Sequence, residues 1–230
     1  RAFRRNLSSL AVDCGVTLAI GCFSYGEARE ILNCKATFYP DGTSEDELYC
    51  KRRLVPFGEY MPWRSFFEIV FTPLTEIAML SEDIIAGESA AVMKDGGVAL
   101  GGVICFDSIY EEVALDSVRN GAELLVLPTN DSWFGDSRAI YMHNVQARLR
   151  AIENARSIVR AANTGTSSII APNGKMLDDI PVNEGGYIVA DVPISTGLTL
   201  YTRIGNTFVL ACAVFVLSLG AVGLKKKTKC

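Results

Sequence analysis

Two kinds of hydrophobic pattern alternate along most of the chain. Uninterrupted apolar runs read as buried strands: Val16–Phe23 (VTLAIGCF), Cys34–Tyr39, Val98–Cys105 (VALGGVIC), Leu124–Pro128 (LLVLP) and Ser167–Ala171, with Tyr187–Val192 as a closing strand. Between them the apolar positions recur every three or four residues. Leu7–Cys14 reads as the end of a helix closed by Gly15, and residues 108–119 bring Ile109, Val113 and Val118 towards one helical face that stops at Gly121. Val145, Leu149, Ile152, Arg156 and Val159 fall at helical spacing and predict a long helix through residues 139–161. Turn chemistry marks Pro40-Asp41-Gly42, Asp95-Gly96-Gly97 and the hairpin Asn173-Gly174. Residues 61–85 are aromatic and apolar, but Pro62 and Pro73 prevent a single helix there. Strands alternating with helices predict a layered α/β domain whose sheet is buried on at least one face.

The last apolar run differs in length. Gly205–Leu224 holds twenty residues without a charge, which at helical rise span roughly 30 Å, the thickness of a bilayer's hydrocarbon. Lys225, Lys226, Lys227 and Lys229 follow at once. A transmembrane helix over 205–224 with a basic cytoplasmic tail at 225–230 is expected, placing residues 1–204 on the extracytoplasmic face. The chain opens on RAFRRNLSSL, with no initiator Met and no signal peptide. Its delivery across a membrane is therefore expected from upstream segments, as in the C-terminal portion of a longer membrane protein.

Composition narrows the class. Of 230 residues 49% are hydrophobic and 21% charged, which excludes a disordered chain, a collagen-like one and a small disulfide scaffold. Without the four tail lysines, 18 basic residues stand against 26 acidic ones, so the body carries −8. Such a surface repels phosphates, and nucleic acid is set aside as a partner. Seven cysteines lie at irregular spacing without a Cys-x-x-Cys pair, and His143 is the single histidine. No metal site and no cofactor is implied. The odd cysteine count argues against a disulfide framework and leaves the chemistry to one thiol.

That thiol is Cys105, at the end of a buried strand with Phe106-Asp107-Ser108 opening the next helix. A helix amino terminus there lowers a thiol's pKa and favours the nucleophilic thiolate; the plainer alternative is a small buried hydrophobe. Lys51 opens a loop fixed by Pro56 and Gly58, with Glu59 eight residues on. A lysine beside a thiolate stabilises the oxyanion formed when the thiolate attacks a carbonyl; the alternative is a solvated Lys-Arg-Arg patch. Asn130–Gly135 (NDSWFG) follows a strand, at the sheet edge where α/β folds hold ligands. Trp133 and Phe134 in that loop suit an acyl chain or a core plug equally. Arg148, Arg150, Glu153 and Arg156 read as solvated pairs on the long helix.

The block Lys51–Tyr60 (KRRLVPFGEY), the Ile104-Cys105-Phe106-Asp107 elbow, NDSWFG and Asn163-Thr164-Gly165 (in ANTGTSSIIAPNGK) together resemble the apolipoprotein N-acyltransferases, the membrane-embedded branch of the nitrilase superfamily. The likeness runs from the first strand into the final apolar run. It implies a nitrilase-like αββα four-layer sandwich, N-terminally truncated, with a Glu–Lys–Cys triad on the periplasmic side of a bacterial inner membrane. Carried over, Cys105 is the nucleophile, Lys51 the triad lysine and Glu59 a supporting glutamate. Phe106 and Asp107 stand where the family has Tyr and Glu; Trp133 lies in the lid over the acyl site, and Asn163 supports the site. The family's general base follows a proline at a strand end, and no Pro-Glu dipeptide precedes Lys51. The resemblance implies acyl transfer from a membrane phospholipid, through a Cys105 thioester, to the N-terminal diacylglyceryl-cysteine amine of an apolipoprotein. Two alternatives stand beside it: a membrane-tethered amidase using water as acceptor, and an inactive fragment lacking the base.

Overall fold

The computed structural model describes residues 2–44, 48–66, 83–95 and 97–227. The first unit is a three-stranded antiparallel sheet. Helix α1 (Ala2–Cys14) precedes β1 (Leu18–Tyr25), β2 (Ile31–Phe38) and the two-residue β3 (Tyr49–Cys50), ordered β1-β2-β3. Ala11 of α1 packs with Ala36 and Phe38, and partly buried Leu7, Leu18 and Ile20 join them on the sheet's outer face.

The second sheet has six strands in chain order: β4 (Val92–Asp95), β5 (Val98–Gly102), β6 (Leu124–Thr129), β7 (Ser157–Ala162), β8 (Ser167–Ile170) and β9 (Met176–Ile180). Its centre, β5-β6-β7, is parallel, and the outer pairs are antiparallel. Parallel strands need crossovers, which are α2 (Glu111–Arg119) and α3 (Ala139–Asn154). Val113 and Val118 of α2, Ala147 and Ala151 of α3, and Leu125, Leu127 and Ile158 of the sheet form one buried core. The inner faces of the two sheets meet, with Tyr49 in that same core and buried Lys35 bonding the Met93 sulfur at 3.0 Å. Gly102 lets them approach: a Cβ there would lie 2.3 Å from the Tyr49 ring.

Several expectations are corrected. The long helix ends at Asn154 with Ala155 left-handed (φ 48°), so Arg156 and Val159 lie before and within β7. Its apolar stripe faces outward: Val145, Leu149 and Ile152 are exposed, while His143, Asn144, Arg150 and Asn154 are buried. Each of these four side chains makes hydrogen bonds, as Asn144 does to Met176 and Ser168. Arg150 and Arg156 are thus not solvated. Arg156 holds the Ala122 and Gly197 carbonyls at 2.7 Å each, although Arg150 does keep its i,i+3 pair with Glu153 at 2.9 Å. Residues 187–192 form no strand; the partner of β8 across Asn173-Gly174 is β9, and Tyr187 and Val189 stand exposed.

Cys34 and Cys50 form a disulfide, against the expectation from cysteine count. The pairing comes from sheet register, in which Cys34 of β2 lies directly opposite Cys50 of β3. Spacing along the chain carries no trace of that. Most of the aromatic segment 61–85 lies outside the described residues.

Helix α4 (Leu200–Ile204) is capped by the Thr199 hydroxyl, which accepts from the Thr202 N–H at 2.9 Å. It leads into α5 (Thr207–Lys227). Side chains of α5 are described as far as Leu219, and Phe208, Leu210, Phe215 and Leu217 among them are exposed. Among the described residues no helix is long and apolar enough to cross a membrane, so a span over 205–224 rests on the sequence.

The Gly102–Tyr49 contact gives a direct test. Gly102→Ala is expected to destabilise the protein by about 2 kcal/mol through overpacking, measured by chemical denaturation. Unchanged stability would show that the sheets do not meet there.

Candidate active site

After β5 the chain runs through buried Val103 and Ile104 to Cys105, the first residue of a 3-10 turn, Cys105–Ile109. Helix α2 starts only at Glu111. The thiol therefore sits at the start of a short 3-10 turn rather than at the amino terminus of α2. Cys105 has φ 48°, the left-handed region that a side chain enters only when its surroundings hold it there.

Cys105 lines a cavity of about 500 Å³ together with Asn33, Glu59, Asn130, Trp133 and Asn163. Its Sγ lies 3.9 Å from the Asn130 carbonyl oxygen. Trp133, on the 3-10 turn Ser132–Phe134, is about half exposed at the cavity wall. The Asn163 amide donates to Asn130 Oδ1 at 3.3 Å, and its backbone N–H to the Thr129 carbonyl at 3.0 Å. The loops after β5, β6 and β7 thus converge at one sheet edge.

From the other sheet comes Lys51, which is 1% exposed. Its Nζ donates to both Glu59 oxygens, at 2.8 and 2.7 Å. Glu59 also accepts from the Val55 N–H at 2.8 Å and from Asn33 Nδ2 at 3.3 Å. Phe57, left-handed at φ 63°, turns the loop so that Glu59 reaches back to Lys51. A buried ion pair is stable only when its remaining polar atoms are also bonded, and this carboxylate satisfies that condition. The Lys51 ammonium lies 6.0 Å from the Phe106 ring centroid, and that ring meets Tyr110 edge-on at 5.5 Å.

Asp107 joins the two sides. Oδ1 accepts from the Arg53 and Arg52 N–H groups at 2.8 and 3.2 Å. Oδ2 accepts from the Tyr49 hydroxyl at 2.9 Å and the Ile104 N–H at 3.1 Å. Burial pushes its carboxyl above the usual range, while the Ile104 and Arg53 N–H groups, the Tyr49 hydroxyl and the Lys51 charge restrain the rise. Burial, followed by the Asp107 charge, drives the Tyr49 phenol well up, so it stays a donor. All seven residues singled out in the sequence are thus brought to one site: Cys105, Glu59, Trp133 and Asn163 on the cavity wall, Lys51 bonded to Glu59, and Phe106 and Asp107 behind them.

A second buried cluster, absent from the sequence reading, lies behind Cys105. Asp131 is fully buried and accepts from Arg160 Nη2 at 2.5 Å, His143 Nδ1 at 2.8 Å and the Thr129 hydroxyl at 2.8 Å. Burial alone would raise its carboxyl; the His143 hydrogen bond and the Arg160 charge outweigh it and lower the pKa to about 2. Gly165 makes room, since a Cβ there would lie 2.0 Å from Asp131 Oδ2. Cys105, Asp131 and His143 are the trio, among the described residues, that could present ligand atoms to a metal, within 4.8 Å of one another. Both Asp131 oxygens and both His143 nitrogens already have protein partners, so the set does not form an open donor shell. The available signal was the helical spacing of His143, Arg150 and Asn154, which marks a polar face turned inward.

The sequence profile described as carbon-nitrogen hydrolase matches residues 1–198. The chain belongs to the carbon-nitrogen hydrolase family. It is 35% identical to an apolipoprotein N-acyltransferase of Geobacter metallireducens over 178 residues, covering 77% of this chain and 33% of that protein. It is 27% identical to that of Haemophilus ducreyi over 232 residues, covering 97% and 45%. The chain therefore spans between a third and a half of these relatives. Solved carbon-nitrogen hydrolase folds are similar as well. Saccharomyces cerevisiae Nit3, a member of branch 10 of the nitrilase superfamily, superposes with a TM-score of 0.61 at 20% identity over 80% of this chain and 62% of its own. An amidase from Nesterenkonia sp. gives 0.60 at 22% over 80% and 64%. The nitrilase-like α/β architecture expected from the sequence is the one found.

Two measurements check this electrostatic picture. Asp131 titrates lower in the folded chain than its ordinary 3.8, so its contribution is complete above pH 4 and disappears as pH falls towards 2. The stability gap between wild type and Asp131→Asn is expected to shrink by about 2 kcal/mol between pH 5 and pH 2 in urea titrations. Glu59→Gln leaves the Lys51 ammonium buried and unpaired, and is expected to cost about 3 kcal/mol by the same method.

Proposed function

We propose that this chain is the thiol-bearing part of an N-acyltransferase that moves a fatty acyl group from a membrane phospholipid to the diacylglyceryl-cysteine amine of an apolipoprotein. The observation that carries the reading is the half-buried Cys105 thiol on a cavity it shares with Glu59, whose carboxylate holds the Lys51 ammonium. The likeness to proteins named apolipoprotein N-acyltransferase supplies the substrate class.

In the first step the Cys105 thiolate attacks the ester carbonyl. The C–S bond forms, the ester C–O bond breaks, and the lysophospholipid leaves as an alcohol after taking up one proton. In the second step the acceptor amine attacks the thioester. The C–N bond forms, the C–S bond breaks, and the amine's proton is released, so protons balance over the cycle. A thioester suits the relay because amines attack it readily and the thiolate leaves well. Lys51 stabilises each tetrahedral oxyanion, with Glu59 fixing its position. The resemblance implies a further glutamate as the general base that moves the protons in both steps.

Membrane attachment is part of this proposal. The charge-free run 205–224, its lysine flank and the exposed apolar side chains of α5 support an anchor with residues 1–204 on the extracytoplasmic face of a bacterial inner membrane. The Cys34–Cys50 disulfide supports an oxidising compartment.

Incubation of the whole protein with acyl-labelled phospholipid is expected to place the label on Cys105, detected by mass spectrometry, and Cys105→Ser is expected to lose it as a hydroxylamine-labile adduct. Absence of label from the wild-type thiol, with ammonia released from simple amides, would replace this reading by the amidase one.

A further inference from the structure

His143 reaches the nucleophile's own backbone. Its Nε2 lies 3.0 Å from the Cys105 carbonyl oxygen and 3.0 Å from Ser108 Oγ, and Ser108 Oγ lies 2.9 Å from the same carbonyl. A carbonyl oxygen only accepts, so the contact to Cys105 O places a hydrogen on Nε2, shared with the serine oxygen, while the serine hydroxyl donates to that carbonyl too. The Asp131 carboxylate also only accepts, so Nδ1 carries a hydrogen as well and the ring in this arrangement is the doubly protonated imidazolium. On the ring's other side Nδ1 meets Asp131 Oδ1 at 2.8 Å, and Asp131 is fixed by Arg160 and Thr129. Arg160 Nη2 also passes 3.3 Å from Nδ1. Both ring nitrogens are therefore committed, and the imidazole is 2% exposed.

The carbonyl that receives these two donors belongs to the residue held at φ 48°. A cysteine leaves the left-handed region unless its neighbouring peptide is pinned. Asn130, next to Asp131 in sequence, is also the residue whose carbonyl faces the Cys105 thiol. The Phe134 ring, two residues past Ser132, stands edge-on to the imidazole at 5.5 Å between centroids. One histidine thus touches both the nucleophile's turn and the loop carrying Trp133.

We propose that His143 is a positioning residue for acyl transfer: its Nε2–H, backed by Asp131 and Arg160, holds the Cys105 carbonyl so that the thiol points into the cavity. The inference rests on Cys105 being the nucleophile, as read above. The His143 ring does not touch the acyl donor, and the role is exerted through backbone placement.

The test uses p-nitrophenyl butyrate with the whole protein in detergent. Attack by the Cys105 thiolate forms a C–S bond, breaks the ester C–O bond and releases nitrophenolate as a burst. His143→Gln keeps a donor near Nε2 and gives up the Asp131 contact; His143→Asn does the reverse. The acylation rate constant of His143→Asn is expected to fall roughly 10²-fold, the loss typical of a misplaced reacting group, with the half-saturating ester concentration little changed. His143→Gln is expected to keep most of the wild-type rate. Ser108→Ala, which removes the second donor, is expected to fall in the same direction by less. A purely structural histidine predicts the opposite order, because His143→Asn keeps the buried Asp131 partnered; equal rates for the two variants, or a faster His143→Asn, would overturn the proposal. A wild type without a burst would overturn the nucleophile reading and this inference together, whereas a normal wild-type burst with indistinguishable variants would remove the inference alone.

Discussion

A single buried carboxylate, Asp107, holds the two halves of the site in register. It takes hydrogen bonds from the Arg52 and Arg53 backbone on the lysine's loop and from Ile104 on the cysteine's turn, with the Tyr49 hydroxyl as a fourth donor. Each of those groups would otherwise face the interior without a partner, where an unmet donor costs on the order of 1–3 kcal/mol. The two sheets are consequently joined by polar bonds at the candidate site, and elsewhere by apolar packing together with the Lys35–Met93 contact. Asp107 is one methylene shorter than the glutamate implied by the resemblance, and here the shorter side chain reaches all four donors.

The cavity's charges are organised in two separate sets. Lys51 and Glu59 neutralise one another on one side, and Asp131 lies between Arg160 and His143 on the other. In a low-dielectric interior an unmatched charge is expensive, so each cation arrives with its anion already bonded. That arrangement leaves the Cys105 thiol on a wall it shares with the already paired Glu59, the Asn130 and Asn163 amides and the indole of Trp133.

The central strands and the order of helices were legible because uninterrupted apolar runs are local signals, and the KRRLVPFGEY and NDSWFG blocks pointed to loops that the fold brings to one sheet edge, whereas the closing strand expected at 187–192 is replaced by β9. What escaped were features made by long-range contact. The face of α3 was read by its apolar residues, but Val145, Leu149 and Ile152 look outward while His143, Arg150 and Asn154 look inward. Hydrogen bonding inside the layer outweighed hydrophobic patterning there. The helix expected to open directly after Cys105 is a 3-10 turn, with α2 beginning only at Glu111, a boundary shift of a few residues that periodicity does not resolve. The tie between Cys34 and Cys50 depends on sheet register alone.

That tie has a bearing on the lysine next to it. β3 is only two residues long, too short for its ladder to fix which side chains look inward. Tyr49 points into the core, Cys50 is bound on the outer face, and Lys51 turns back inside. A slip by one residue would exchange Cys50 with Lys51 and carry the ammonium away from the cavity. The sulfur bridge forbids that slip covalently, acting as a stitch that keeps the amine on the working side of the fabric.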